Sequence, residues 1–201
     1  MKLPLFLLLP LLLPACSALS ALGDASQPLD IYELRTPVLR QAATRRPVEL
    51  VVEEPQASGT LTTERILIRP TPFEAQYLPG IRWADTAPVM MQTLLVRSLT
   101  ETGALGSVGR RPVGTIGDYA VLSELTDFQA ETAEDGKSAL VRARMILRLV
   151  RERDAQVIAT RTFEVSEPVA STDPQPVVAT FDRVTTRLLA DMAGWIVERA
   201  R

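Results

Sequence analysis

The sequence predicts an α+β fold: a single two-layer domain in which a mainly antiparallel sheet is covered by two helices. The first observation is a run of three long strand patterns with short turns, at residues 118–128, 138–151 and 157–165. Adjacent strands joined by short turns pair antiparallel. The second observation is a pair of amphipathic helix patterns, in the middle and at the end of the chain, with apolar faces suited to cover one face of such a sheet.

Shorter strand patterns fill the first part of the domain, ahead of the first helix. They alternate apolar and polar side chains, which is typical of a strand with one buried face. The fourth is the weakest, because it is bounded by Pro70, Pro72 and Pro79-Gly80. The predicted strands are residues 30–34, 48–52, 65–69 and 73–77.

Both helices begin at capping residues followed by proline. The first is predicted to begin at Asp85-Thr86-Ala87-Pro88 and to end near Thr102, because Gly103 favours a helix stop. The second begins at Ser171-Thr172-Asp173-Pro174 and has the most regular helical pattern in the chain. Its apolar stripe consists of Val177, Phe181, Val184, Leu188, Met192 and Trp195, broadened by Ile196.

The connections carry recognisable turn chemistry. Asp135-Gly136 predicts the turn before the second long strand, and Arg153-Asp154-Ala155-Gln156 predicts the turn after it. The glycine-rich segment 103–109 invites a phosphate-loop interpretation, but phosphate loops follow a strand and open a helix. This segment follows a helix and precedes a strand, so we predict a flexible helix-to-strand connection.

The first residues have the pattern of an export signal. Lys2 gives a positive start, an apolar run follows from Leu3 to Leu13, and a small residue precedes Cys16. The apolar run is shorter than the ~20 residues of a spanning helix. Leu13-Pro14-Ala15-Cys16 resembles the lipobox of bacterial lipoproteins, although Pro14 stands where Ala, Ser or Thr is usual. Residues 1–15 are therefore predicted to be a lipoprotein signal peptide, and Cys16 the acylated, palmitate-bearing first residue of the mature protein.

Cys16 is the only cysteine of the chain, and an unpaired thiol is a liability in an exported protein. The alternative is a stray cysteine inside a signal peptide that is cut elsewhere, after Ala18 or Ala21. Residues 16–28 predict a flexible tether that reaches at most ~40 Å, and residues 29–201 the α+β domain. Ser17 is not the aspartate that retains lipoproteins in the inner membrane of enteric bacteria, which favours the periplasmic face of the outer membrane.

Composition argues against several classes of function. The chain has 22 Lys+Arg against 24 Asp+Glu, so no nucleic-acid partner is predicted. It has no histidine, which removes the commonest general base and a leading metal ligand. We predict no catalytic residue, metal site or cofactor, and therefore no enzyme. The acidic segments Glu53-Glu54 and 131–135 are predicted to be solvated turns.

Several large side chains keep more than one interpretation. Arg142, Arg144 and Arg148 predict the solvent face of a half-buried strand, and contact with anionic lipid headgroups is the alternative. Trp195 is in phase with the stripe of its helix and is predicted to lie in the core. Trp83 is predicted to lie in a loop before the first helix, where a core anchor and an interface anchor remain equally open.

A series of elements between Tyr32 and Phe128 adds a family resemblance. In order they are Tyr32-x-Leu34, Leu61-Thr62-Thr63-Glu64-Arg65-Ile66, Tyr77-Leu78-Pro79-Gly80-Ile81-Arg82-Trp83-Ala84, a helix with Pro88, Tyr119-Ala120-Val121 and Leu125-x-x-Phe128. In this order, behind a lipoprotein signal, they resemble the ABC-type transport auxiliary lipoprotein family, which includes paraquat-inducible protein C. Ile31 is a mild departure, because the family often has an aromatic residue there.

The resemblance implies an outer-membrane lipoprotein that faces the periplasm and accompanies an inner-membrane ABC transporter and a protein with mammalian-cell-entry domains. Such systems move lipids between the two membranes. The protein would be their adaptor, with self-association into a ring. We predict partner contacts at Tyr77, Arg82 and Trp83 and on the C-terminal helix. The alternatives are a periplasmic lipid-binding carrier and an outer-membrane assembly or envelope-integrity lipoprotein.

Overall fold

A computed structural model describes residues 28–111 and 117–201. The predicted signal peptide, Cys16 and nearly all of the tether lie outside the described residues. Within them the chain forms one sheet of nine strands and two helices, an α+β fold. The elements are β1 (Asp30–Tyr32), β2 (Arg46–Val52), β3 (Gln56–Ala57), β4 (Arg65–Arg69), β5 (Gln76–Trp83), α1 (Ala87–Glu101), β6 (Leu105–Gly109), β7 (Tyr119–Thr132), β8 (Ala139–Arg151), β9 (Gln156–Val169) and α2 (Pro174–Arg199).

Strand β7 is central to the sheet because other strands pair with both of its edges. One edge pairs antiparallel with β8, and β8 pairs antiparallel with β9. The other edge pairs with β2, β3 and β4 one after another, all parallel, from the pair Leu50–Tyr119 to the pair Arg69–Glu131. Strand β6 continues the sheet beyond β2, and β5 and β1 continue it beyond β4.

The sheet is therefore mixed, and the prediction of a mainly antiparallel sheet is correct only for β7–β8–β9 and the β4–β5 hairpin. The pairs of β1 with β5, β2 with β6, and β2, β3 and β4 with β7 are parallel. These strands meet through connections longer than a tight turn, and such connections leave no direct sign of strand direction in the sequence.

Strand β5 begins later than the predicted strand at 73–77 and runs through Pro79 and Gly80, which predicted a boundary. The ladder between β4 and β5 shifts register in this region, and Gly80 has φ +74°. A bulge accommodates a residue without an N–H and a left-handed glycine inside one strand. Trp83 is consequently the last residue of a strand rather than part of a loop.

The glycine-rich segment 103–109 is not a flexible connection. Gly103, at φ +63°, follows the end of α1 as predicted, but Leu105–Gly109 is strand β6 and pairs with β2. A Cβ placed on Gly106 would lie 3.1 Å from the backbone nitrogen of Val48 and 3.2 Å from its oxygen. Close approach of two backbones therefore accounts for Gly106, and phosphate binding is not needed to explain it.

Replacing Gly106 with alanine is expected to lower the free energy of unfolding by about 1–3 kcal/mol, because the new methyl group must displace the backbone of β2. Gly109→Ala is the matched control on the same strand, since nothing lies within 4 Å of the position its Cβ would take. Urea unfolding followed by circular dichroism measures both variants. Equal losses in the two would contradict the close-approach explanation.

The helices and the sheet share one hydrophobic core. Helix α2 packs against β8 and β9, α1 packs against β6 and β2, and the two helices contact each other. The predicted stripe of α2 is buried, Trp195 included. At the centre the rings of Trp83, Phe128 and Phe181 contact one another, with centroid distances of 5.9 Å for Trp83–Phe128, 5.4 Å for Trp83–Phe181 and 4.9 Å for Phe128–Phe181. These rings join β5, β7 and α2.

Candidate partner-binding surface

Three of the predicted partner contacts, Tyr77, Arg82 and Trp83, lie on β5, but the structure does not bring them to one surface. Tyr77 and Arg82 are half-buried, whereas the Trp83 side chain is only 1 % exposed. The backbone N–H of Trp83 donates to the backbone carbonyl of Glu64 at 2.7 Å, and Trp83 pairs with Tyr32 of β1 in the sheet. In the folded domain the indole is a core anchor, and a partner has no access to it.

Tyr77 and Arg82 of β5 contact the first residue of β4 and the residue before it. The Arg65 guanidinium lies 5.6 Å from the centroid of the Tyr77 ring, a cation–π distance. Arg82 Nη1 donates to Glu64 Oε2 at 2.6 Å. Both side chains keep an exposed portion beside these contacts, so partner binding by Tyr77 and Arg82 stays a prediction.

A groove beside the C-terminal helix is the second part of the candidate surface. It has a volume of about 730 Å³ and lies between β9 and the last turns of α2. Arg161 of β9 lies over the Phe163 ring at 4.7 Å, and Arg199 of α2 lies over Trp195 at 5.7 Å. The groove is lined by Ile158, Ala159, Thr160, Arg161, Trp195, Glu198, Arg199 and Arg201.

Strand β9 leaves one backbone edge open next to this groove. In the part of the chain that the structure describes, β9 pairs only with β8, from Gln156 to Val169 with one register shift at Ile158. An open edge presents unpaired N–H and C=O groups that an extended peptide can complete as an additional strand. The arginines of the groove favour acidic side chains on such a peptide.

The arginine row of β8 lies on the face opposite the helices, as predicted for a solvent face. Arg142 is held between Glu131 of β7 and Glu164 of β9, and its Nε lies 3.0 Å from Glu131 Oε1. Arg144 Nε lies 3.8 Å from Glu164 Oε2. Arg148 is exposed. Carboxylates on both neighbouring strands thus neutralise much of the charge that anionic lipid headgroups would need.

A polar clip joins the segment after β1 to helix α2. The backbone N–H of Arg35 donates to Asp182 Oδ1 and its Nε donates to Oδ2, both at 3.0 Å. Asp182 is 8 % exposed. Its burial opposes ionisation, but the hydrogen bonds from the Arg35 side chain and backbone outweigh burial and hold the pKa of the carboxyl below its ordinary value.

This lowered pKa predicts a pH-dependent contribution to stability. A carboxyl with a depressed folded-state pKa stabilises the fold above its unfolded pKa of about 3.9, and the contribution is lost as the pH falls through the folded-state value. Asp182→Asn is therefore expected to be less stable than the wild type at pH 7, with the difference shrinking below about pH 4. Urea unfolding from pH 7 to pH 3 measures this. A difference that stays constant over that range would contradict it.

The described residues, 28–111 and 117–201, contain no group of three or more His, Cys, Asp or Glu side chains placed to hold a metal ion. Across the same two ranges, neither helix combines the length and apolar character needed to cross a membrane.

The sequence of this chain matches a known protein family over most of its length. The family of the ABC-type transport auxiliary lipoprotein component matches residues 32–193, which extend from the end of β1 into α2. The chain belongs to this family. The match begins at Tyr32, the last residue of β1, and includes strands β2 to β9.

Individual relatives agree with this assignment. An uncharacterised protein of Bradyrhizobium diazoefficiens is 31% identical over 183 residues; the match covers 87% of this chain and 47% of that protein, so the chain spans about half the length of this relative. The crystal structure of a Xanthomonas campestris protein of the family DUF330 is similar at a TM-score of 0.77 and 28% identity, covering 84% of this chain and 95% of that one. A crystal structure of another uncharacterised protein shares the fold at a TM-score of 0.63 and 16% identity, covering 85% and 99%.

Sequence reasoning missed two features of this auxiliary lipoprotein that bear on binding. Strand β9 extends to Val169, beyond the predicted end at residue 165, and its outer position in the sheet was not foreseen. Val165 and Val169, alternating with exposed Glu164, Ser166 and Pro168, are the signal for the longer strand, although Glu167 interrupts the apolar face. Pro168, next to the last residue of β9, is typical of an edge strand.

Proposed function

We propose that this auxiliary lipoprotein is the outer-membrane-anchored, periplasm-facing adaptor of an ABC-type lipid transport system that uses a protein with mammalian-cell-entry domains. The observation that carries the proposal is the family match over residues 32–193. The lipobox-like sequence ending at Cys16, with Ser17 after it, supports anchoring at the outer membrane. Self-association of the adaptor into a ring belongs to the same proposal.

The anchor suits an adaptor on physical grounds. Burial of acyl chains contributes about 0.8 kcal/mol per methylene, and one chain holds a protein only reversibly. A cysteine that carries several chains holds the domain stably at the membrane. Confinement to a surface raises the effective concentration of the adaptor for a partner that reaches the same membrane.

The filled core favours an adaptor over a lipid carrier. A carrier needs an apolar cavity of about 300 Å³ or more. Between α2 and the sheet, the aromatic cluster of Trp83, Phe128 and Phe181 and the fully buried Met145 and Leu147 occupy that space. The groove beside β9 is instead open to solvent and lined partly by charged side chains, which supports docking of a protein segment.

Lipid mass spectrometry of the purified protein separates the two functions. The lipidated protein is extracted with a mild detergent, and its noncovalently bound lipids are extracted and quantified apart from the acyl chains on Cys16. The Cys16→Ser protein, purified without detergent, is the control. The adaptor proposal predicts far less than one bound lipid per chain in both samples. Stoichiometric lipid would favour the carrier.

A further inference from the structure

The turn between β4 and β5 holds the most exposed large apolar side chain of the described residues. Phe73 is 98 % exposed. We propose that Phe73 inserts into the lipid bilayer that holds the anchor of the chain, as a second and noncovalent membrane contact that orients the domain. The inference rests on the lipid anchoring of the proposed function and adds to it a surface of the folded domain that faces the lipid.

The path of the chain places the tether and Phe73 at the same end of the sheet. Strand β1 runs parallel to β5, with Asp30 beside Ile81 and Tyr32 beside Trp83. Traced backwards from Asp30, β1 therefore points toward Gln76, where β5 begins. The turn that holds Phe73 lies immediately before Gln76. The chain that leads to the anchor leaves the sheet in the direction of this turn.

The length of the predicted tether, compared with the length of the sheet, favours the Phe73 end as the end nearest to the membrane. A flexible coil of the length predicted for the tether, residues 16–28, would span about 20 Å on average. Strand β8 has 13 residues, so the opposite end of the sheet, near Val157, lies roughly 40 Å farther along the strands. An average tether therefore brings the Phe73 turn to the bilayer surface and leaves the Val157 end in the periplasm.

Two prolines and one hydrogen bond restrict the backbone of the turn that holds Phe73. Pro70 and Pro72 fix φ on both sides of Thr71, and the N–H of Glu74 donates to the carbonyl of Thr71 at 3.2 Å. A rigid turn presents its aromatic side chain without the ordering cost of a flexible loop. Phenylalanine is among the apolar residues that membrane-surface segments bury at the boundary between headgroups and acyl chains.

The charge at the Phe73 end of the sheet indicates which kind of lipid bilayer is favoured. Acidic groups exceed basic groups at this end of the sheet, so a zwitterionic bilayer is favoured over an anionic one. The exposed charged residues in the turns here are Glu74, Glu134, Asp135, Lys137 and Asp173.

An environment-sensitive label at position 73 tests the inference. Acylation occupies the only native cysteine, so Phe73→Cys gives a unique site for a nitrobenzoxadiazole dye in the full lipidated protein. The protein is reconstituted into vesicles of phosphatidylcholine and phosphatidylethanolamine. The dye is expected to fluoresce at least twofold more strongly than on the same variant carrying Cys16→Ser, which has no anchor. Val157→Cys, at a 51 % exposed position at the opposite end, is the matched control and is expected to show no rise.

Each other outcome overturns the inference or its basis. Vesicle flotation of the lipidated protein with an unchanged signal at position 73 contradicts the inference and leaves the anchor intact. Failure of flotation for both labelled proteins contradicts the anchor itself. A signal that rises only after a mammalian-cell-entry protein is added assigns Phe73 to protein docking and overturns the lipid contact. A rise that increases when half of the lipid is phosphatidylglycerol contradicts the zwitterionic preference.

Discussion

Replacing Cys16 with serine is expected to move the protein from the membrane fraction to the soluble periplasmic fraction and to abolish its function. Serine lacks the thiol that the lipid-transferring enzyme requires, so no acyl chain is added. Without the chains the favourable burial of methylenes is lost, at about 0.8 kcal/mol for each. Cell fractionation followed by immunoblotting measures the location, and the rescue of a deletion strain measures function.

Two comparisons make this result interpretable. The released domain is expected to unfold at the same temperature as the wild type, because Cys16 precedes the domain that begins near Leu29. Pro14→Ala restores the usual lipobox composition and is expected to leave the protein in the membrane fraction. Full function of the soluble Cys16→Ser protein would show that the anchor is dispensable, and the adaptor proposal would then be wrong.

Trp83→Ala is expected to lower the free energy of unfolding by about 3–5 kcal/mol. This loss is larger than the loss expected for Gly106→Ala. The change opens a cavity beside Phe128 and Phe181 and removes the ring through which β5 contacts both β7 and α2. Urea unfolding measures the loss. Phe73→Ala removes an aromatic ring that is 98 % exposed, and it is expected to change the free energy by less than about 0.5 kcal/mol.

A conservative substitution distinguishes the packing of Trp83 in the hydrophobic core from direct binding of a partner by Trp83. Trp83→Phe keeps a ring in the cluster and is expected to retain most of the stability and the full ability to bind the partner. A variant that is as stable as the wild type but no longer binds would contradict the assignment of Trp83 to the core alone.

The elements that could be predicted from the sequence are those determined by local patterns. The α2 stripe from Val177 to Trp195 repeats with the helical period, so the helix and its buried face follow directly. The long strand β8 alternates regularly, and Asp135-Gly136 forms the turn between β7 and β8 with Gly136 at φ +65°. In each case side chains close in sequence decide the outcome.

The features that could not be predicted depend on contacts between distant segments. Strand β5 passes through Pro79 and Gly80 only because a bulge against β4 accommodates them. Trp83 is buried because Phe128 and Phe181 reach it from β7 and α2, which the residues around Trp83 do not reveal. The groove between Arg161 and Arg199 likewise requires the position of β9 at the edge of the sheet.

Co-isolation from native membranes tests the central claim most directly. The affinity-tagged lipidated protein is extracted in a detergent that keeps envelope complexes intact, and the proteins that accompany it are identified by mass spectrometry. The control is the tagged Cys16→Ser protein from the soluble periplasmic fraction. The account predicts recovery of a protein with mammalian-cell-entry domains in stoichiometric amount with the lipidated form, and much less with the soluble form. Absence of any such protein, under conditions that preserve other envelope complexes, would contradict the adaptor function.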